Sequence, residues 1–191
     1  DLEIYSDQIR TVFSRYGIPV FADQKRSVLL NPFVEYVRSA VSMVQKRFTC
    51  ESVFRFLRTN LTGFTFEEVD ELENYVLAMG IRGYKRWQEK WVRKTRGMDE
   101  DGLLRVNHLR VRFVEKVDSL VFVLRQPRKT VVDITRALYE FLVKEELQRQ
   151  LREQEKRFEE QGKLALAKEY SQVYRIVIEL FDKFAALHGD E

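Results

Sequence analysis

Three features of this 191-residue chain predict a mainly α-helical fold with one short strand near the N-terminal end. Glycine and proline are scarce, and Pro127 is the sole proline after position 32, so long uninterrupted helices are permitted almost everywhere. Apolar residues recur at three- and four-residue steps through most of the chain. The exception runs from Tyr16 to Phe33. Gly17 can close a helix in the left-handed conformation, and Pro19 forbids its continuation. Ile18 to Phe21 is then a four-residue apolar run suited to a strand at a sheet edge, and Asn31-Pro32 starts a new helix with asparagine as N-cap.

Each element follows from its own residues. Ile4, Ile9, Val12, Phe13 and Tyr16 give residues 3–16 one apolar side. Residues 32–47 do the same with Phe33, Val34, Val37, Val41 and Val44, and residues 50–58 with Val53, Phe54 and Leu57. The polar stretch 59–63 then suits a domain junction. Thr65 and Glu68 form a capping box for a helix through Val69, Leu72, Tyr75, Val76 and Met79, with Gly80 as its C-cap. A further helix is expected over 84–94, with Trp87 and Trp91 on one face. Residues 98–102 read as an exposed acidic loop. The long helix 103–124 shows Val106, Leu109, Phe113, Val117, Leu120, Val121 and Leu124 to the core and stops before Pro127. Thr130 or Thr135 caps the next helix, which buries Ile134, Leu138, Phe141 and Leu142. Residues 145–161 are nearly all charged, with only Leu147, Leu151 and Phe158 to bury, and read as a protruding or bridging helix broken by Gly162. Residues 164–187 close the chain with Tyr170, Val173, Tyr174, Val177, Leu180, Phe181 and Phe184.

The single strand needs neighbours to pair its backbone groups, and none follows in the sequence. The chain also starts at Asp1 without a methionine, so it reads as a piece of a larger protein. No apolar run approaches the roughly 20 residues of a membrane-spanning helix, and the cytoplasm is the expected compartment. Cys50, the only cysteine, sits beside Glu51, which disfavours a thiolate. The net charge of +3 is unevenly spread. Seven basic residues stand against Glu89 alone over 82–96, and seven against Glu115 and Asp118 over 105–129. Both ends are net acidic, so a polyanion should meet the middle.

Catalytic chemistry finds no constellation. His108 lies amid a basic helix and His188 near the C-terminal end, neither with a ligand partner at helical spacing. The carboxylates Glu67, Glu68, Asp70, Glu71 and Glu73 belong to the opening turns of a helix, where the macrodipole favours them, and Asp99, Glu100 and Asp101 lack calcium-loop spacing. No Gly-rich phosphate loop, G-x-S-x-G or Cys-x-x-Cys is present. The candidate contact site is Lys85, Arg86, Trp87, Lys90, Trp91, Arg93 and Lys94, because aromatics stack on unpaired bases while flanking cations neutralise phosphates. The commoner role of tryptophans at i and i+4 is to anchor a core, with the basic residues as a solvated outer face.

A resemblance adds to this. The segment from Asp1 through Tyr16-Gly-Ile-Pro-Val-Phe-Ala-Asp-Gln-Lys-Arg26, then Asn31-Pro-Phe-Val-Glu-Tyr-Val-Arg-Ser-Ala40, Ser52-Val-Phe-Arg-Phe-Leu-Arg-Thr-Asn-Leu61 and Asp70-Glu-Leu-Glu-Asn-Tyr-Val-Leu-Ala-Met-Gly-Ile81 resemble, in order, the B subunit of the bacterial AddAB (RexAB) helicase-nuclease of the Firmicute type. So do Val132-Asp-Ile-Thr-Arg-Ala-Leu-Tyr-Glu-Phe-Leu142 and Gln172-Val-Tyr-Arg-Ile-Val-Ile-Glu-Leu-Phe-Asp-Lys-Phe184. The first two pieces are also similar to superfamily 1 helicases generally. The resemblance implies an internal fragment in which residues 1–61 are the edge of a RecA-like 2A-type motor domain and residues 62–191 a helical 2B-like insertion. It implies a noncatalytic scaffold segment of a complex that resects double-strand breaks under Chi control, with the A subunit and DNA as partners. The family's ATP, magnesium and 4Fe-4S cluster would bind elsewhere in the parent. The opposing reading is a helical interaction module that meets an acidic partner or the A subunit without touching DNA. An independent small helical enzyme ranks last.

Overall fold

The computed structural model describes residues 12–13, 15–17 and 28–188, and among these every regular element is helical. The strand expected at 18–21 and most of the helix expected over 3–16 lie outside the described residues. After a short 3-10 turn at Val28–Leu30 come α1 (Pro32–Gln45), α2 (Cys50–Leu57), α3 (Phe66–Met79), α4 (Tyr84–Gln88), α5 (Glu100–Leu124), α6 (Val131–Lys144), α7 (Leu147–Glu160) and α8 (Leu164–His188).

Local chemistry sets most of the boundaries. Asn31 Oδ1 accepts the Phe33 N–H at 2.9 Å, and Pro32 occupies the first helical position. Thr49 caps α2. Thr65 with Glu68 and Thr130 with Asp133 form complete capping boxes on α3 and α6. Gly80 ends α3 at φ 60°, a conformation that only glycine adopts cheaply. The acidic run 99–101 is no loop: Asp99 Oδ1 accepts the Gly102 N–H at 2.7 Å, and Glu100 and Asp101 form the first turn of α5. An N-cap aspartate followed by two carboxylates suits the positive end of a helix.

The 25-residue α5 is the central strut, about 37 Å long at 1.5 Å per residue. It contacts α1, α3, α4 and α6. Its core face carries all seven residues expected there, Val106, Leu109, Phe113, Val117, Leu120, Val121 and Leu124. Around it one continuous hydrophobic cluster extends from Phe33 to Val177 and passes through Leu61 and Phe64, so packing runs unbroken across residues 59–63. There the Thr59 hydroxyl donates to the Phe56 carbonyl and the Thr62 hydroxyl to that of Leu57. These bonds let the two threonines lie buried.

Two further expectations are corrected. The core face of α1 is Phe33, Tyr36, Ala40 and Met43, while Val34, Val37, Val41 and Val44 form a flanking, partly buried stripe. Both stripes have helical spacing, and the aromatic one wins because Tyr36 stacks on Phe141 (ring centroids 5.5 Å) and packs against Phe56 (5.0 Å). The charged helix α7 does not protrude. Leu147 and Leu151 are buried against its neighbours, and the Phe158 ring meets Tyr170 of α8 at 5.1 Å. Asn31 Nδ2 donates to Glu169 Oε1 at 2.7 Å, and Phe33 packs on Tyr174 at 5.7 Å, so the start of α1 is fastened to α8. On another side of α8, Ile176, Leu180, Phe184 and Leu187 leave an apolar stripe open to solvent. Among the described residues no helix is long and apolar enough to cross a membrane.

Candidate nucleic-acid interface

The helix expected over 84–94 ends at Gln88, and α5 causes the break. A continuing helix would hydrogen-bond the Trp91 N–H to the Trp87 carbonyl. Instead Arg110 Nη1 donates to that carbonyl at 2.8 Å, and the Trp91 N–H goes to Asn107 Oδ1 at 3.0 Å. Asn107 Nδ2 donates to the Trp91 carbonyl at 2.8 Å, and the Trp91 indole N–H to the Arg86 carbonyl at 2.9 Å. Further on, the Tyr75 hydroxyl donates to the Arg93 carbonyl at 2.6 Å. Residues 89–98 are thus laid across α3 and α5 by side chains that take over the helical hydrogen bonds.

The two tryptophans accordingly belong to the core. Trp87 is fully buried, 4.5 Å from the Phe113 ring, and Trp91 is 5% exposed, stacked on Tyr75 at 4.8 Å and 5.4 Å from Trp87. Neither presents a face on which a base can stack, which corrects the role given to Trp87 and Trp91 in the candidate site. Arg110 is buried with them, its guanidinium held by the Trp87 carbonyl, Asn107 Oδ1 and the Trp91 ring, 5.9 Å away. Burial pulls its pKa down.

The cations Lys85, Arg86, Lys90, Arg93 and Lys94 do face solvent. Arg86 pairs with Glu89 at 3.4 Å and Lys94 with Glu100. Lys85, Lys90 and Arg93 have no carboxylate within 4.0 Å among the described residues. Elsewhere carboxylates are consumed by neighbours: Asp70 and Glu73 by Arg58, Glu71 by Arg105, Glu68 by Arg112, Glu35 by Arg55 and Glu145 by Lys116. Lys116 is half-buried. Desolvation and the positive charges of Lys144 and Arg112 push its pKa down to about 8, against the pull of the Glu145 carboxylate it touches.

Among the described residues no group of three or more His, Cys, Asp and Glu side chains converges as a metal site. His108 is exposed on α5, and His188 ends α8. Burial and the nearby Glu73 carboxylate raise the Cys50 pKa, which keeps it a thiol. One cysteine cannot supply the four thiolates of an iron-sulfur cluster, so these residues do not fit that group. Sequence reasoning missed Asn107 and Arg110. The signal was present, since Arg110 occupies a core position of α5 between Val106 and Phe113, where a cation needs buried partners.

No family model matches the chain. Several proteins named as the B subunit of an ATP-dependent helicase/deoxyribonuclease resemble it from end to end. The one from Lachnoclostridium phytofermentans is 36% identical over 193 residues, covering 100% of this chain and 17% of the relative. That from Clostridium novyi is 36% identical over 191 residues, with 100% and 16% covered. That from Clostridioides difficile is 34% identical over 199 residues, with 100% and 17% covered. The chain therefore spans about one-sixth of the length of the relatives it matches. Along its whole length the chain is thus similar to one stretch of these much longer helicase/deoxyribonuclease B subunits.

Proposed function

We propose that this chain is a noncatalytic, helical 2B-like scaffold segment of an AddB-type subunit, which shapes a helicase-nuclease at DNA double-strand breaks and guides DNA through its basic middle. In this reading residues 1–61 are the edge of a RecA-like domain, and the A subunit and DNA are the partners. ATP, magnesium and the 4Fe-4S cluster bind to other parts of the parent. The observation that carries it is the end-to-end likeness to the helicase/deoxyribonuclease relatives. The exposed cations of residues 82–96, left in excess of their carboxylates, support a role toward DNA.

A second reading, a helical module that packs on the A subunit without meeting DNA, draws support from the solvent-exposed stripe Ile176, Leu180, Phe184 and Leu187. Fluorescence anisotropy of the 191-residue chain with a labelled forked DNA across a salt series separates the two. Binding that weakens steeply with salt is expected, since each neutralised phosphate releases counterions. Absence of binding at low salt by the folded chain would overturn the DNA role and favour the second reading.

A further inference from the structure

Tyr84 opens α4 and lies where three other parts of the chain meet. Its ring is 4.7 Å from that of Phe48, in the turn after α1, and the Gly83 N–H donates to the Phe48 carbonyl at 3.4 Å. The Arg125 guanidinium, at the C-terminal cap of α5, lies 5.9 Å from the Tyr84 ring centroid. This packing brings together cations that are far apart in sequence: Lys46 and Arg47 beside Phe48, Arg82 and Lys85 on either side of Gly83 and Tyr84, and Arg125 over the ring. All five are exposed, and none has a carboxylate within 4.0 Å among the described residues. Asp118 also reaches this end, where its Oδ1 accepts the Tyr84 hydroxyl at 2.7 Å. The cations therefore outnumber it.

Helix dipoles account for part of this arrangement only. Lys46 and Arg125 cap the C-termini of α1 and α5, where a positive charge is favoured. Arg82 lies two residues past Gly80, the C-cap of α3, where the dipole still favours a cation, whereas Lys85 sits in the five-residue α4, which is too short for its dipole to decide the matter. Holding them beside Arg47 and Arg125 with Asp118 as the one carboxylate seen to reach this end among the described residues costs stability through repulsion, which a bound polyanion would relieve.

We infer that this end of the bundle, formed by Lys46, Arg47, Arg82, Lys85 and Arg125, is a phosphodiester-binding surface on which DNA seats by its backbone. The inference rests on the DNA-guiding role proposed above and moves its centre. Of the candidate residues, only Lys85 belongs to this surface. Arg86 and Lys94 each already face a carboxylate, Lys90 and Arg93 lie on the segment laid across α3 and α5, and the tryptophans are buried. Contact made by these cations is with phosphates and is independent of sequence.

The test compares three forms of the 191-residue chain in anisotropy titrations with a forked DNA from 50 to 200 mM salt: wild type, Arg47→Gln/Arg82→Gln/Lys85→Gln/Arg125→Gln, and Lys90→Gln/Arg93→Gln/Lys94→Gln. Four phosphate contacts give a salt slope of about −3.6 on duplex, so roughly a hundredfold of affinity over that range depends on them. The first variant should lose that slope while keeping the wild-type circular dichroism and melting transition. The Lys90, Arg93 and Lys94 variant should retain most of it. Restoring charge with Arg47→Lys/Arg82→Lys/Arg125→Lys should preserve the slope, as expected of point charges on phosphates. Wild-type binding that survives in the first variant and disappears in the second would overturn this inference alone. No binding by the wild type would overturn it together with the DNA role, and would leave an acidic protein surface as the partner class for the same cations.

Discussion

Removing the Asn107 carboxamide should destabilise the fold and release residues 89–98 from α5. In Asn107→Ala the Trp91 N–H and carbonyl both lose their partners, at 3.0 and 2.8 Å, on a residue that is 5% exposed. Asn107 also donates to the Leu103 carbonyl at 2.9 Å, but that group keeps its helical partner. Each buried backbone group left unpaired costs about 1–3 kcal/mol, and alanine returns about half a kcal/mol of helix propensity. The net expectation is about 3 kcal/mol, or a melting temperature lower by about 6–12 °C in a chain of this size.

Asn107→Asp is the informative companion. It keeps the Oδ1 that accepts from Trp91 and turns the 3.2 Å contact with Arg110 Nε into an ion pair, but it cannot donate to the Trp91 carbonyl. Its stability should fall between wild type and alanine. Urea unfolding followed by far-ultraviolet circular dichroism gives the free energies, and tryptophan emission reports whether Trp91 has become wet. An alanine variant within about 0.5 kcal/mol of wild type, with unshifted emission, would refute the argument. Stacking of Trp91 on Tyr75 would then be enough to hold the segment.

Two further outcomes are expected. The Lys116 pKa lies at about 8 in the fold against 10.5 when free, so between those values the unfolded chain binds more protons and stability should rise with pH. Relative to Lys116→Met, wild type should gain about 2 kcal/mol between pH 7.5 and 10 in urea titrations; a constant gap would show that the Glu145 contact cancels the burial. Arg47→Gly should raise the melting temperature by about 2–4 °C, because φ 54° suits glycine, while making the DNA salt slope shallower by about one unit; a lowered melting temperature would show that the Arg47 side chain is held by the fold.

What could be read in advance was what is decided within a few residues. The caps at Asn31 and Thr65 and the stops at Gly80 and Gly162 depend on groups at most four positions away, so the residues spell them out, while of the two caps open for α6, Thr130 and Thr135, the capping box with Asp133 selects Thr130. The face of α1 could not be chosen in the same way, because two adjacent stripes are both apolar and the arrival of Phe56 and Phe141 decides between them. The break after Gln88 is less legible still. The local pattern over 84–94 is a good helix, and it loses to Asn107 and Arg110, which compete for the same backbone groups from another helix. In the candidate site the exposure of the lysines and arginines was readable from charge. The burial of both indoles was a matter of tertiary packing, as was the meeting of Phe48 and Arg125 around Tyr84.

The turn after α1 is where folding and charge pull apart most clearly. Arg47 and Phe48 both adopt left-handed backbone, at φ 54° and 56°, which costs a non-glycine residue about 1–2 kcal/mol each. For Phe48 the cost is offset, since its ring is 2% exposed between Tyr84 and Phe113. Arg47 receives no such return: its side chain is exposed and makes no ion pair among the described residues. Its place near the negative end of α1 recovers about 0.3–1 kcal/mol, less than the strain. A glycine would hold the same turn at lower cost, so packing gives no reason for arginine here. A positive charge at the junction of α1 and α4 is what the phosphodiester surface inferred above would use, and the guanidinium fork matches the oxygens of a phosphate or a carboxylate.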